Sequence, residues 1–137
     1  MSRILAIDFG TKRIGLAVTD PDQIIATPLN TVENPKIFDY LKNYFSEETV
    51  ELIVVGFPER SDGSQSKIQE KILIFVQKLK NQFNKKVILF DERYTSKLAS
   101  QAMIDGGLKK KKRRDKAMID RISATILLQD YLKTIAK

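Results

Sequence analysis

In the first third of the chain, apolar residues come in short unbroken runs, each closed by turn formers. Ile4-Leu5-Ala6-Ile7 predicts a buried strand over residues 3–8. Gly10-Thr11-Lys12 makes a turn, and a second strand covers residues 14–18 with a glycine inside it at position 15. After the turn at Asp20-Pro21-Asp22, residues 23–32 form a third strand. Connections this short make the three an antiparallel meander. The period then changes. Asn34-Pro35 opens a helix to about Phe45, with Ile37, Phe38, Leu41, Tyr44 and Phe45 at helical spacing. Leu52-Ile53-Val54-Val55 is uniformly apolar, as in a strand covered on both faces. Ile68, Ile72, Phe75, Val76, Leu79 and Phe83 mark an amphipathic helix over residues 64–83, and Val87-Ile88-Leu89-Phe90 marks the last strand. Thr95 or Ser96 caps a further expected helix ending at Gly106-Gly107. A final helix over residues 116–134 carries Ile119, Ile122, Ile126, Leu127 and Tyr131.

The order β-β-β-α-β-α-β-α-α predicts an α/β fold. Its mixed five-stranded sheet has three antiparallel strands, then two parallel ones, with helices on both sides. A length of 137 residues fits a single domain over 1–137. The apolar faces are all assigned to the core, which favours a monomer over a dimer. No run is long enough to span a membrane, and the N-terminal apolar run is too short for a signal peptide. The expected location is cytoplasmic.

Composition narrows the chemistry. The chain has no histidine and no cysteine, which removes imidazole bases, thiol nucleophiles, structural zinc and disulfides. Any metal must be held by oxygens, which points to Mg²⁺ or Mn²⁺. The net charge of +7 is unevenly spread. Lys109, Lys110, Lys111, Lys112, Arg113 and Arg114 are consecutive cations, and the segment 109–116 holds all but about one unit of the net charge. Such a run suits a phosphate polymer better than a membrane, because neither neighbouring helix has a strongly apolar face; as a plain reading it is a solvated loop.

Three acids occupy suggestive places. Asp8 ends an apolar strand, Glu92 follows the last strand beside Asp91, and Asp120 lies early in the final helix. If the strands leading to Asp8 and Glu92 run parallel, both acids reach the carboxyl edge of the sheet, where sites in α/β folds lie. Clustered carboxylates repel, and divalent metal relieves the repulsion. Metal ions so held activate water and stabilise the leaving oxyanion in phosphodiester cleavage, with no histidine needed. Taken singly, Asp8 also reads as a turn former, Glu92 as a partner of Arg93 or a lysine, and Asp120 as a helix-dipole residue or a partner of Arg121.

Asp8-Phe9-Gly10-Thr11-Lys12-Arg13-Ile14-Gly15 resembles the opening motif of the YqgF/RuvX family of RNase H-like nucleases, also described as Holliday junction resolvase homologues. Val54-Val55-Gly56-Phe57-Pro58 with Asp62-Gly63, then Asp91-Glu92-Arg93-Tyr94-Thr95-Ser96, resemble its next two blocks. The basic run followed by Ile119-Asp120-Arg121-Ile122-Ser123-Ala124 resembles its last. Phe57 and Tyr94 depart from the pattern, standing where leucine is common. The resemblance implies an RNase H-like fold, divalent metal, and a catalytic, metal-binding triad of Asp8, Glu92 and Asp120. It implies nucleic-acid contacts from Lys12 and Arg13 near the cut and from residues 109–114 away from it. In that topology another strand separates the first from the last, so Glu92 reaches across about 10 Å, and Asp91 is an alternative ligand.

The implied substrate is the 5′ end of pre-16S ribosomal RNA, bound free or in ribosomal precursor particles, with branched DNA as the alternative. A non-catalytic RNA-binding role in ribosome assembly is the rival from another class. The sugar-kinase and actin superfamily shares the Asp-x-Gly-Thr hairpin but needs a second lobe, for which 137 residues leave no room.

Overall fold

The computed structural model describes residues 2–58, 67–91 and 116–135, the last segment with side chains from Ile119 onward. Five strands form one sheet: β1 (Arg3–Asp8), β2 (Arg13–Thr19), β3 (Ala26–Glu33), β4 (Val50–Phe57) and β5 (Lys86–Asp91). A 3₁₀ turn at Asn34–Lys36 leads into α1 (Ile37–Glu47); α2 spans Lys67–Phe83 and α3 spans Lys116–Ile135. The strand order is β3-β2-β1-β4-β5. β1–β2 and β2–β3 pair antiparallel, while β1–β4 and β4–β5 pair parallel. This is the expected mixed sheet. The helix expected at 95–106 lies outside the described residues.

Alternation along the strands sorts the core into two layers. Leu5, Ile7, Leu16, Ile53 and Val55 point to one face, where they pack with Ile37 and Leu41 of α1 and Ile72, Phe75 and Leu79 of α2. Ile4, Ala6, Ala17 and Val54 point to the other, against Ala124, Leu127 and Leu128 of α3. The second layer is rich in alanine, so α3 comes close to the sheet. The helix turns Ala124 and Leu128 fully inward; Ile122 and Ile126, expected in its core stripe, are only half-buried. Packing against two small-residue strands decides which face is buried, and that information is absent from the helix's own period.

The expectation that the core uses every apolar face is corrected. Ile24 is 71% exposed, Ile25 61%, Ile74 58% and Ile135 45%. Ile24 and Ile135 line one shallow groove with Gln129, Leu132 and Lys133. No helix among the described residues is long and apolar enough to cross a membrane.

The β2–β3 turn is organised by one carboxylate. Asp20 Oδ1 accepts hydrogen bonds from the backbone N–H groups of Ile24 (2.9 Å) and Ile25 (2.7 Å), and Oδ2 accepts one from Asp22 N–H (3.2 Å). These donors favour the ionised form, led by the Ile25 bond, and hold the Asp20 carboxyl below its ordinary value of 3.8. A depressed carboxyl pKa gives stability that is complete above the unfolded value and disappears as pH falls through the folded one. Thermal melts between about pH 5 and pH 2 are expected to fall more steeply for the native chain than for Asp20→Asn. At neutral pH the variant is expected to melt lower. Parallel acid limbs would refute the assignment.

Candidate active site

Asp8 is the last residue of β1, at the carboxyl edge of the sheet. Strand parity places it on the face of Ile4 and Ala6, the face that α3 covers. Its antiparallel partner on β2 is Gly15, about 5 Å away between Cα atoms. The intervening turn is tight: a Cβ built on Gly10 would stand 2.2 Å from the Arg13 carbonyl oxygen. Asn34 holds this turn from outside. Its Nδ2 donates to the Gly10 carbonyl (2.8 Å) and its backbone N–H donates to the Lys12 carbonyl (2.9 Å). Sequence reading assigned Asn34 to a helix start and missed this clamp.

Gly15 brings the second acid in. A Cβ at Gly15 would lie 2.1 Å from the backbone oxygen of Asp120 and 3.1 Å from its Cβ. The first turns of α3 therefore rest directly on β2 at the residue paired with Asp8. Asp8 and Asp120, 112 positions apart in sequence, flank the same side-chain-free spot on the sheet. A glycine inside a strand is the signal for such an approach of another backbone.

Arg13 completes the cluster. Its Nε donates to Asp120 Oδ2 at 3.0 Å, with the two side chains 36% and 25% exposed. The plain reading that paired Asp120 with Arg121 is replaced by this cross-element pair. At that exposure the pair is worth at most ~1 kcal/mol. Its weight is geometric, because it fixes where the carboxylate points. Lys12 is exposed on the turn beside it.

On the far side, Ile7 pairs with Val55 of β4, and Phe57 of β4 pairs with Asp91 of β5. β4 thus lies between the strands that end at Asp8 and Asp91, which puts those strands two interstrand spacings, about 10 Å, apart. Asp91 alternates with Ile88 and Phe90, which pack on the α3 layer; its own parity is that of Val87, in the α1/α2 layer. Asp91 therefore projects to the face opposite Asp8. Glu92 and the basic run Lys109 to Arg114 lie outside the described residues.

The donor set fits a hard divalent cation. Both acids brought together offer only carboxylate oxygens, in a chain that has no imidazole or thiolate to offer. Among the described residues these two are the only members of the expected triad.

Comparison with known proteins gives the family and the fold. The sequence pattern of the RuvX family, described as "Holliday junction resolvase", matches residues 2–134. A protein of Christiangramia forsetii described as "Putative pre-16S rRNA nuclease" is 53% identical over 136 residues, covering 96% of this chain and 98% of its own. One of Phocaeicola vulgatus with the same description is 50% identical over 135 residues, covering 98% and 97%. Among solved structures, T. thermophilus RuvC in complex with a Holliday junction substrate has a TM-score of 0.58 at 17% identity, covering 98% of this chain and 97% of that one. The fowlpox virus Holliday junction resolvase has a TM-score of 0.51 at 15% identity, covering 97% and 99%. At those identities the likeness speaks for the fold, which is the RNase H-like one. With a family match over nearly its whole length, the chain belongs to the RuvX family.

Proposed function

We propose that this chain is a metal-dependent endonuclease that hydrolyses phosphodiester bonds at the 5′ end of pre-16S ribosomal RNA. The nuclease class goes with the family. The observation that supports the mechanism is the meeting of Asp8 and Asp120 across Gly15, beside the exposed Lys12. Asp8, Asp120 and Glu92 would hold Mg²⁺ or Mn²⁺, with Glu92 favoured over Asp91 because Asp91 projects to the other face. The bound cation would supply Lewis-acid activation of water and charge stabilisation at the phosphate. The chain's own part is positional. Asp8 is fixed by the strand, Asp120 by the seat of α3 on β2, and the Gly10–Arg13 turn by Asn34, so the acids need little reorganisation when substrate arrives. Lys12 binds phosphate near the cut, and residues 109–114 hold the polymer away from it. The RNA substrate is carried over from the description of the relatives.

The test uses end-labelled pre-16S RNA with its 5′ leader, a four-way DNA junction and a linear duplex, each with Mg²⁺, Mn²⁺ or EDTA. Metal-dependent cutting of the RNA at one 5′ position is the expected result. Symmetric cutting of the junction instead would replace the RNA reading and require a two-fold dimer with paired sites. Binding without cutting of any substrate would make the chain an RNA-binding assembly factor. The basic run has its own signature. Six phosphate contacts give a log–log salt slope of about −4 to −5, and replacing Lys109 to Lys112 with glutamine is expected to flatten it by about 3. An unchanged slope would remove these lysines from the interface.

A further inference from the structure

The resemblance assigns Arg13 to substrate phosphate, yet the structure shows its guanidinium on Asp120. We propose that Arg13 exchanges partners: it holds Asp120 in the free protein and passes to a substrate phosphate when a divalent cation takes that carboxylate, so that cation and nucleic acid bind cooperatively. This rests on Asp120 being a cation ligand. Three observations carry it. The contact runs from Nε to a single carboxylate oxygen at 3.0 Å, without the fork-on-fork geometry of the strong arginine pairs. Both side chains are a quarter or more exposed, so water takes over readily when the pair opens. Both backbones, in contrast, are pinned. The Arg13 carbonyl abuts Gly10, Arg13 pairs in register with Glu33, and the Asp120 carbonyl abuts Gly15. Only side-chain torsions need to change, and both partners stay within reach of the site throughout.

A divalent cation outbids a singly charged guanidinium for an oxygen ligand and disfavours a second positive charge on the same carboxylate. The displaced guanidinium remains beside Lys12, on the turn that the reading gives to phosphate. Linkage then requires the reverse: phosphate that draws Arg13 away strengthens the cation site by the same factor.

The experiment measures binding of a fluorescein-labelled single-stranded RNA oligonucleotide with saturating Ca²⁺ or with EDTA at constant ionic strength. Intact RNA is verified on a gel. Calcium and manganese isotherms without RNA are recorded alongside for the native chain, Arg13→Ala, Arg13→Gln, Arg13→Lys and Asp120→Asn. The native chain is expected to bind RNA more tightly with Ca²⁺. Arg13→Ala and Arg13→Gln are expected to lose about tenfold of that gain, while binding the cation alone as tightly as the native chain or more so. Arg13→Lys is expected to recover part of the gain. A merely structural Arg13 would lower RNA affinity equally in Ca²⁺ and EDTA, and that result overturns the proposal. So does weaker cation binding by the alanine and glutamine variants. If the native chain binds Ca²⁺, and Asp120→Asn does not, but RNA affinity ignores the cation, the exchange is refuted and the metal reading survives. If the native chain binds neither cation, the metal reading fails and takes the exchange with it.

Discussion

Asp8→Asn is expected to lower single-turnover cleavage by at least about a thousandfold, roughly 4 kcal/mol of barrier, at saturating protein and Mg²⁺. The substitution keeps the shape of the side chain and removes its charge. The strand end is fixed by the β1–β2 and β1–β4 ladders, so the amide remains where the carboxylate was and geometry does not account for the loss. What disappears is an anionic oxygen ligand in a chain with no histidine or cysteine to replace it. Stability moves the other way. Asp8 and Asp120 flank the same glycine, and removing one of two like charges relieves the repulsion between them. The melting temperature without metal is therefore expected to hold or rise, the usual signature of a functional site that costs stability. Thermal melts and single-turnover kinetics on the same preparation check both halves. Cleavage within tenfold of native would exclude Asp8 as a ligand.

How much of this was legible in the sequence differs from element to element, for physical reasons. The apolar run at Ile4–Ile7 and the uniform Leu52–Val55 are strands by burial on both faces; β1 keeps the expected bounds, Arg3–Asp8, and β4 extends beyond its apolar run to Val50–Phe57. Gly15 was visible as an odd residue within a strand, but the partner that required it sits 105 positions away. One chain read locally holds no information about which helix crosses there. The Arg13–Asp120 and Asn34–Gly10 contacts escaped for the same reason, since each side chain had a plausible local use as turn residue or helix opener. The two-layer parity that separates Asp91 from the α3 face likewise needs the register of β4 against β5. Motif resemblance supplied the acids; topology supplied their meeting place.

That meeting place predicts the second large effect, at Gly15. Replacing a strand glycine with alanine ordinarily stabilises by about 0.4–1 kcal/mol, because the unfolded chain loses freedom. Here the sign is expected to reverse. The new methyl would stand 2.1 Å from the Asp120 carbonyl oxygen and 2.6 Å from its carbon, separations that no Cβ tolerates. The obstacle is backbone, so no rotamer change clears it. α3 must retreat by about 1 Å, enough to loosen Ala124 and Leu128, both fully buried against the sheet. Overpacking of this kind costs about 1–3 kcal/mol. The same retreat carries Asp120 away from Asp8, and a misplacement of about 1 Å in a positioned catalytic group costs about a hundredfold in rate. Gly15→Ala should thus lose stability and cleavage together, whereas Asp8→Asn loses cleavage alone. Gly10→Ala separates the turn from the helix seat: its methyl meets the Arg13 carbonyl, not α3, so it disturbs Arg13 and Lys12 while the seat of α3 on β2 is kept. Urea melts and single-turnover rates on the three variants resolve the cases. A Gly15→Ala chain as stable as native would mean that α3 does not rest on β2 at Asp120, and the two acids would lose the contact that brings them together.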